Sequence, residues 1–590
     1  MKIKITAIIL SALLIVSGFA GCAQVGGANN PVTSSSAAES APATPLAVSS
    51  NISDSDTNTA WHETDTKITL NGASVSVAGT GVTVNGSVVT ITAEGTYVVS
   101  GTLNDGQIAV MAANTDKVHL VLNEADVTNK TGAPIYASQC DKLIITLAAG
   151  TTNSLTDGGS NFKYADAAEE EPNAALFCKD DLTINGTGAL TVNAGFNNGV
   201  GSKDDLLMVS GDITINAVNH GLRGNDSVTI LDGNLNIAAG NDGIQTNNTK
   251  DAALGWILIE NGAISVTAGH DGIQADTSVS FSGGDFHITT GTTASSDTTS
   301  DSYKGIKATT DITITGGSFT VESKDDSIHA NGAITIDGGA FTLASGDDGI
   351  HADGNLTVNA GTITVTEAYE GLEASNIIIA GGVIDLVTVD DALNAAGGAD
   401  QSAGGGRFGK DHFAAGGAYN MTISGGSITF LSGGDGIDSN GTLTISGGTI
   451  VAIINSTPDN GALDADGTTT FTGGTIIYGG TGVGATPSGN STQSYVFVNY
   501  GITAGQEIAV IKDGQTLITF TPTTSCQYLA LSSPNVKSGE SYEVHSGGSL
   551  ISTITAGTGG GGMTPGGPGG MGVPGGRYGF GGMGGPEGHQ

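Results

Sequence analysis

The chain contains 590 residues, of which 57 are Asp or Glu and 19 are Lys or Arg, so its formal net charge at pH 7 is −38. This charge excludes a general nucleic-acid-binding protein, because contacts to phosphates require clustered basic side chains. It also predicts a demand for cations. The cysteines include no CxxC pair, the spacing that would indicate a structural zinc site.

The first 22 residues have the pattern of a bacterial export signal. Two lysines precede an apolar run that ends in small residues and Cys22. The Ala-Gly-Cys ending resembles a lipoprotein signal, although Phe19 replaces the usual aliphatic residue, and ordinary secretion is the alternative. We expect an extracytoplasmic protein, lipid-anchored through Cys22 to the bacterial membrane and exposed at the cell surface. Residues 23–55, rich in Ser, Ala, Asn and Pro, are predicted to form a flexible tether.

Residues 56–491 contain a motif that repeats about every 22 residues, with its clearest copies beginning at Asp325 and Asp347. Within a copy the apolar residues alternate at i and i+2 between Asp, Asn and Gly, which predicts three short strands. One copy is too thin to bury its own apolar face, so the copies must stack as a single-stranded parallel β-helix. The phase of the repeat is marked by Gly188, Gly211, Gly233, Gly262, Gly284, Gly317, Gly339, Gly361, Gly382, Gly426, Gly448 and Gly474.

One apolar position of each copy should point into the core of this β-helix. Because neighbouring parallel strands lie about 4.8 Å apart, equivalent residues of stacked coils form ladders along the axis. The sequence predicts an uninterrupted aliphatic ladder of Val200, Leu222, Ile244, Ile273, Ile306, Ile328, Ile350, Leu372, Leu393 and Ile437.

The chain leaves this pattern in several places. Residues 492–556 lose the period but keep alternating strands, which predicts a small β-rich cap or module. Residues 557–590 are mostly Gly, Pro and Met, and are expected to be disordered. The Gly-rich stretch 396–417 is interpreted as a loop that leaves one coil. Cys140 and Cys178 occupy similar places in successive coils if residues 152–172 are an insertion, and either a disulfide or two free core thiols would fit.

A row of acidic turn residues precedes the aliphatic ladder, and a second polar row follows it and points outward. At about 4.8 Å and an effective dielectric constant near 20, adjacent carboxylates repel by roughly 3.5 kcal/mol before screening by salt. Bound Ca²⁺ would convert this repulsion into coordination. The alternative is that Asp and Asn before Gly only turn the chain. The predicted calcium ligands are Asp326, Asp348, Glu370, Glu373, Asp390, Asp391, Asn394, Asp435 and Asp438.

The outward row is also a predicted binding surface. A strip of stacked polar side chains about 50 Å long suits an extended polymer, and polysaccharide is the natural polymer outside a cell. Trp61 and Trp256 are the only tryptophans, so a row of indole platforms is not expected. The alternative is a solvated face without a ligand. The predicted ligand-binding residues are Arg223, Gln245, Gln274, Lys307, His329 and His351.

The segments GTYVVSGTLNDGQI, VHLVLNEADVTN and LIITLAAGTTNSLTDG, together with the DDGIHADG coils, carry a family resemblance. Over roughly residues 60–550 the chain resembles bacterial secreted carbohydrate-binding domains with a right-handed parallel β-helix fold. The resemblance implies calcium-dependent binding of acidic plant polysaccharide such as polygalacturonate, on a fold shared with pectate lyases. Calcium would bridge the carboxylates of the two negatively charged partners.

Two other functions remain open alongside non-catalytic binding. A calcium-dependent polysaccharide lyase would need a Lys or Arg base for the uronate C5 proton, and Lys304 and Lys307 are the candidates, although Lys304 would equally fit an exposed surface lysine. A structural surface protein or adhesin is the third reading. We predict a monomeric, non-catalytic protein that binds calcium and uronate-containing polysaccharide, touches the membrane only through its lipid anchor and binds no nucleic acid.

Overall fold

The computed structural model describes residues 52–291, 302–396, 419–456, 460–481 and 487–557. The predicted export signal with Cys22, most of the tether, the loop after Ala396 and the Gly-rich tail fall outside these residues. Among the described residues, no helix is both long and apolar enough to cross a membrane. A short helix, Asp54–Thr57, begins within the predicted tether, and its Asp56 is completely buried. Lys142 pairs with Asp56 at 3.0 Å, so this segment is fixed to the side of the β-helix.

The N-terminal coils begin with two antiparallel pairs and then become parallel. β1 pairs with β2 and β3 with β4 in antiparallel register, whereas β5, β7 and β9 are parallel neighbours. A short 3-10 helix, Gly159–Asn161, follows β10. The strands are β1 (Thr66–Gly72), β2 (Val75–Ala78), β3 (Val82–Asn85), β4 (Val88–Ile91), β5 (Gly95–Leu103), β6 (Gln107–Met111), β7 (Lys117–Thr128), β8 (Ile135–Gln139), β9 (Lys142–Leu147), β10 (Thr152–Thr156), β11 (Ala174–Cys178), β12 (Asp181–Gly186) and β13 (Ala189–Ala194).

The central coils each contribute three short strands, and each strand pairs in parallel with the strand three places later in the chain, except that the last two pair with strands two places later because the next strand is continuous across two sides of its coil. This confirms the predicted parallel β-helix. The strands are β14 (Asn198–Ser202), β15 (Asp205–Met208), β16 (Asp212–Ala217), β17 (Leu222–Gly224), β18 (Ser227–Ile230), β19 (Asn234–Ala239), β20 (Ile244–Thr246), β21 (Trp256–Ile259), β22 (Ala263–Ala268), β23 (Ile273–Ala275), β24 (Val279–Phe281), β25 (Asp285–Thr289), β26 (Ile306–Ala308), β27 (Ile312–Ile314), β28 (Ser318–Ser323), β29 (Ile328–Ala330), β30 (Ile334–Ile336) and β31 (Ala340–Ser345).

The C-terminal coils keep this arrangement, although two long strands each pass from the first to the second side of a coil. β32 pairs with β29 through its first residues and with β30 through its last residues, and β34 continues both pairings. The strands are β32 (Ile350–Val358), β33 (Thr362–Ala368), β34 (Leu372–Ile379), β35 (Val383–Thr388), β36 (Leu393–Ala395), β37 (Asn420–Ile423), β38 (Ser427–Leu431), β39 (Ile437–Ser439), β40 (Thr442–Ile445), β41 (Thr449–Ile453), β42 (Thr469–Phe471) and β43 (Thr475–Gly479).

The last strands are antiparallel. Two of them pair with each other, and one of these also pairs with β43. The other four form a separate antiparallel sheet that shares an apolar core with the strands beside it. These last strands are β44 (Tyr495–Val498), β45 (Ile508–Lys512), β46 (Gln515–Phe520), β47 (Leu529–Ser532), β48 (Ser541–Ser546) and β49 (Ser549–Thr555).

The aliphatic ladder lies where the sequence predicted it. Each of its members is the register partner of the next, from Val200 to Ile437, and all are buried. A second ladder inside the core stacks the rings of Phe286, Phe319 and Phe341, with centroids 4.6 and 4.9 Å apart. Burial of these continuous ladders is what holds thin coils together.

The phase-marking glycines are conformationally required. Eleven of the twelve have φ between 81° and 139°, a region that side-chain-bearing residues rarely adopt. Gly188 is the exception, because Gly186 takes the positive φ of 97° in that coil. The turn that repeats every coil therefore explains the repeat of glycine.

Two expectations about the first coils are resolved. Residues 152–156 form β10, which pairs with β13, so the insertion is shorter than the predicted 152–172. Cys140 and Cys178 are free, buried thiols, which is the second of the two readings. Burial and the neighbouring Cys140 thiol hold the pKa of Cys178 well above its usual range.

Candidate functional site

The second polar row predicted from the repeat is continuous in the structure, and we call it the polar row. Its members directly follow the aliphatic ladder and are register partners from coil to coil, so their side chains stack along one side of the β-helix. They point away from the apolar core, as alternation along a strand requires. The polar row consists of Arg223, Gln245, Gln274, Lys307, His329, His351, Glu373, Asn394 and Asp438.

The polar row is not uniformly open to solvent, and the expectation of an exposed strip is wrong for part of it. Arg223, Gln245, Gln274 and Lys307 are half-buried. The next four members, from His329 to Asn394, are at most 7% exposed. The row thus divides into an accessible N-terminal half and a buried polar layer, and His329 lies on the buried side of this division.

The acidic row that precedes the ladder has a structural role in several coils. Oδ1 of Asp326 accepts the backbone N–H of Asp348 at 3.0 Å, and Oδ1 of Asp348 accepts that of Glu370 at 3.2 Å. Asp391 accepts the N–H of Asp435 in the same way, at 2.6 Å. One carboxylate oxygen of each of these three residues therefore caps the turn of the next coil, as the alternative of simple turn chemistry requires.

The second carboxylate oxygen faces the polar-row residue three positions later. Nε2 of Gln245 donates to Oδ2 of Asp242 at 2.9 Å. His329 meets Asp326 in the same way, with Nδ1 and Oδ2 2.9 Å apart. In these coils a nitrogen-bearing side chain faces the acceptor, so the pair can be satisfied within the protein.

The pairing changes in the C-terminal coils, where the residue three positions later donates no hydrogen bond to the turn carboxylate of its own coil. Nδ2 of Asn394 donates to both oxygens of Glu370, at 3.0 and 2.9 Å. Its Oδ1 is buried and has no hydrogen-bond partner among the described residues. In this region Asp391, Asp435 and Asp438 bring carboxylate oxygens within 4.8 Å of one another. We call Asp391, Asn394, Asp435 and Asp438 the acidic cluster.

The carboxyl groups of the acidic cluster have raised pKa values. Burial, aided by the charges of neighbouring carboxylates, raises the pKa of Asp391 to about 8 and that of Asp438 to about 7. The same causes raise the pKa of Asp435 to about 6. These groups resist simultaneous ionisation unless a cation lies between them. The donor set contains only oxygen atoms, including the unpartnered Oδ1 of Asn394, and such a set fits Ca²⁺.

The remaining predicted calcium ligands are already engaged. Asp390 accepts a hydrogen bond from the Tyr369 hydroxyl at 2.7 Å. Asp326 is completely buried and pairs with the Lys304 ammonium at 2.6 Å, which lowers the need for a metal there. Of the predicted set, the structure therefore singles out the acidic cluster, together with a separate group around Glu373.

The two lysines considered as catalytic bases have different surroundings. Lys304 is 3% exposed, and its Nζ also pairs with Asp325 at 3.1 Å, so the reading of Lys304 as an exposed surface lysine is wrong. Lys307 is half-buried, donates to Ser302 Oγ at 3.0 Å and lies 3.6 Å from Asp271 Oδ2. Of the two, only Lys307 lies in the accessible half of the polar row.

An aromatic cluster near the N-terminal end of the polar row was missed, because only tryptophan was considered as a stacking platform. The rings of Phe162 and Phe196 are stacked, with centroids 4.2 Å apart and an interplanar angle of 4°. Tyr164 packs edge-on against both. All three are partly exposed. The sequence did contain a signal for this cluster, because the segment NFKY in the insertion places two aromatic residues among polar neighbours.

A parallel β-helix with a continuous polar row along one side defines the class of this protein, and comparison with known proteins narrows it. Residues 85–349 match the family model described as carbohydrate-binding domain-containing protein. The match includes the accessible half of the polar row and ends before His351, so the acidic cluster lies beyond it.

Two known proteins are similar to parts of the chain. A carbohydrate-binding domain-containing protein of Acetivibrio thermocellus is 45% identical over 127 residues, which are 22% of this chain. The match spans 44% of that relative's length. The solved structure of the polysaccharide lyase-like protein from C. thermocellum, a gadolinium derivative, is 40% identical. It covers 38% of this chain and 94% of its own, with a TM-score of 0.36.

Proposed function

We propose that this protein binds uronate-containing polysaccharide at the bacterial cell surface, in a calcium-dependent and non-catalytic manner. The observation that carries the proposal is the buried, unpartnered Oδ1 of Asn394 beside three carboxylates at one end of a continuous polar row. A Ca²⁺ ion would give this buried acceptor a partner and would neutralise the neighbouring carboxylates. The match of residues 85–349 to the carbohydrate-binding domain family supports the polysaccharide part of the proposal.

The accessible half of the polar row supplies groups that suit an acidic glycan. The Arg223 guanidinium and the Lys307 ammonium attract uronate carboxylates, and Gln274 adds an amide for hydroxyl groups. Neighbouring members lie one coil apart, about 4.8 Å, so an extended chain running along the axis meets several of them.

Calcium would be held by the acidic cluster. A bound divalent cation supplies positive charge at the end of the row where the protein itself is negative. Asp391, Asp435 and Asp438 provide carboxylate oxygens and Asn394 provides an amide oxygen, while one oxygen each of Asp391 and Asp435 remains committed to the next turn. The bound cation would thereby reduce the repulsion among these carboxylates, which disfavours the fold, and their repulsion of an approaching polyanion.

The non-catalytic part of the proposal rests on the state of the two lysines. A general base must reach the substrate proton, and Lys304 is buried in two ion pairs. Lys307 remains the only one of the two that a polymer on the accessible half could reach. A lyase would therefore depend on Lys307, and K307M separates that reading from simple binding.

The test is retention of the mature protein on polygalacturonate, in calcium or in EDTA, while the ultraviolet absorbance of unsaturated uronate products is followed. Calcium-dependent retention with flat absorbance is the expected result. Fully methyl-esterified polymer is the matched control, because it has the same backbone without the charge. A rise in absorbance that K307M abolishes would establish a lyase instead. Equal retention in EDTA would contradict the calcium dependence, and no retention would favour a structural surface protein.

A further inference from the structure

His351 lies among three carboxylates in the buried part of the polar row. Its Nδ1 is 3.0 Å from Oδ2 of Asp348 and 2.9 Å from Oε2 of Glu373. Its Nε2 is 3.3 Å from Oδ1 of Asp353. The side chains of His351, Asp348 and Glu373 are only 4%, 7% and 10% exposed. This group is separate from the acidic cluster and contains a nitrogen ligand.

The hydrogen atoms available at His351 do not satisfy its neighbours. Nδ1 carries at most one hydrogen, which donates well to only one oxygen, yet the two carboxylate oxygens beside it are equally close. Even a protonated imidazole leaves three carboxylates around one positive charge. A metal ion held between these ligand atoms would compensate the negative charge that one imidazole leaves unbalanced.

The preceding coil provides an internal comparison, because His329 occupies the equivalent position. Its Nδ1 faces Asp326 at 2.9 Å and its Nε2 faces Oδ1 of Asn331 at 3.0 Å, so each ring nitrogen has one acceptor. Asp326 also pairs with the Lys304 ammonium. The carboxylate that faces His329 therefore also has an ammonium partner, whereas within the described residues no Lys or Arg pairs with Asp348, Asp353 or Glu373.

We propose that Asp348, His351 and Glu373 bind one divalent transition-metal ion, with Zn²⁺ as the reference ion. Ligand atoms about 2.1 Å from a tetrahedral Zn²⁺ lie about 3.4 Å apart, so the two distances from Nδ1 need to lengthen by only about 0.5 Å for the ion to enter. One imidazole nitrogen with two carboxylate oxygens favours such an ion over Ca²⁺, which prefers an all-oxygen set. This inference does not rest on polysaccharide binding.

Asp353 completes the arrangement as a positioning residue. A histidine that ligates a metal commonly donates its other ring N–H to a carboxylate, which fixes the tautomer and the ring orientation. Nε2 of His351 faces Oδ1 of Asp353, and this oxygen has no other hydrogen-bond partner among the described residues. D353N should therefore retain the ion but weaken Zn²⁺ binding by about 10- to 100-fold.

The test uses the mature protein, stripped with a chelator and dialysed against Zn²⁺ in the presence of excess Ca²⁺, with zinc per chain measured by mass spectrometry. We expect wild type and H329Q to retain one more Zn²⁺ per chain than H351Q. D438N should retain zinc as wild type does, because the acidic cluster is a different site. Equal zinc in wild type and H351Q, or equal losses in H329Q and H351Q, would overturn the proposal.

A second variant keeps the test decisive if H351Q does not fold. E373Q removes one ligand charge and leaves a side chain of the same size, and circular dichroism establishes whether each variant is folded. Loss of the additional Zn²⁺ in folded E373Q supports the site. Full retention in folded E373Q shows that the zinc lies elsewhere and overturns it.

Discussion

At the scale of single residues, the chemistry of each coil depends on the side chain three positions after the turn carboxylate. Gln245 and His329 bring nitrogen to that position, so the carboxylate is satisfied within its own coil. Asn394 donates its amide N–H to Glu370 of another coil and the Asp438 side chain has no N–H to donate, so we propose a hard cation at these turns. The sequence revealed the acid-x-x-oxygen spacing. It could not reveal that one oxygen of each acid already caps the next turn, because that hydrogen bond joins different coils.

The first prediction concerns Asp438 in the acidic cluster. D438N removes one charged ligand and should lower the affinity for Ca²⁺ by at least about tenfold, because affinity follows the number of ligand charges. The rise in melting temperature on adding Ca²⁺ should shrink accordingly. D285N is the matched control, since Asp285 is exposed on β25 and should leave the calcium response unchanged. An undiminished response in D438N would contradict the assigned ligands.

The second prediction concerns pH and Asp204, which lies away from the metal ligands. Burial, with repulsion from Asp226 and other neighbouring carboxylates, raises its pKa to about 6. Ionisation of Asp204 is less favourable in the folded state than in the unfolded state. The fold therefore keeps its full stability below pH 4, where the group is protonated, and loses stability as the pH rises through 6. D204N should therefore gain free energy of unfolding relative to wild type between pH 4 and pH 7. Because the Asp204 side chain is only partly buried and remains open to solvent, the gain should be below about 1 kcal/mol and shrink in salt. A gain that is largest at pH 4 would contradict this account.

At the scale of elements, the strands, their register and the aliphatic ladder could be predicted from the repeat, because alternation and period are direct consequences of stacking. The exceptions arise where the repeat is interrupted or carries no information about burial. β10 was assigned to an insertion because the Asp- and Glu-rich residues after it break the pattern. The burial of His329 and His351 was missed because alternation distinguishes the core side from the outer side, but does not indicate what covers the outer side.

The third prediction concerns the aromatic cluster beside the accessible half of the polar row. If a sugar ring stacks on this cluster, F196A should weaken polygalacturonate binding by about 2- to 10-fold, the scale of one aromatic contact of about 0.5–1.5 kcal/mol. Tyr500, 49% exposed in the antiparallel C-terminal region, provides the control variant Y500A. Titration calorimetry measures both affinities. Equal affinities for F196A and wild type would remove the cluster from the binding surface.

At the scale of the whole molecule, a net charge of −38 and a proposed polyanionic partner are compatible only if cations mediate the contact. The sequence predicted this demand, and the acidic cluster identifies where calcium would meet it. The proposed lipid anchor would place the surface outside the membrane, where calcium and polysaccharide are both available.

The fourth prediction concerns that anchor. C22S removes the thiol that lipidation requires, so the protein should move from the membrane fraction to the medium in the bacterial host. Fractionation followed by immunoblotting measures the distribution, and S17A within the export signal is the control. Equal membrane retention of C22S and wild type would contradict lipid anchoring.

The most direct test of the central claim measures the affinity of wild type, D438N and D285N for polygalacturonate. All three are measured at the lowest calcium concentration that saturates the wild-type protein. The proposed function predicts that D438N binds the polymer at least about tenfold more weakly, while D285N matches wild type. Polymer affinity that is equal in all three proteins would contradict a calcium-mediated contact through the acidic cluster.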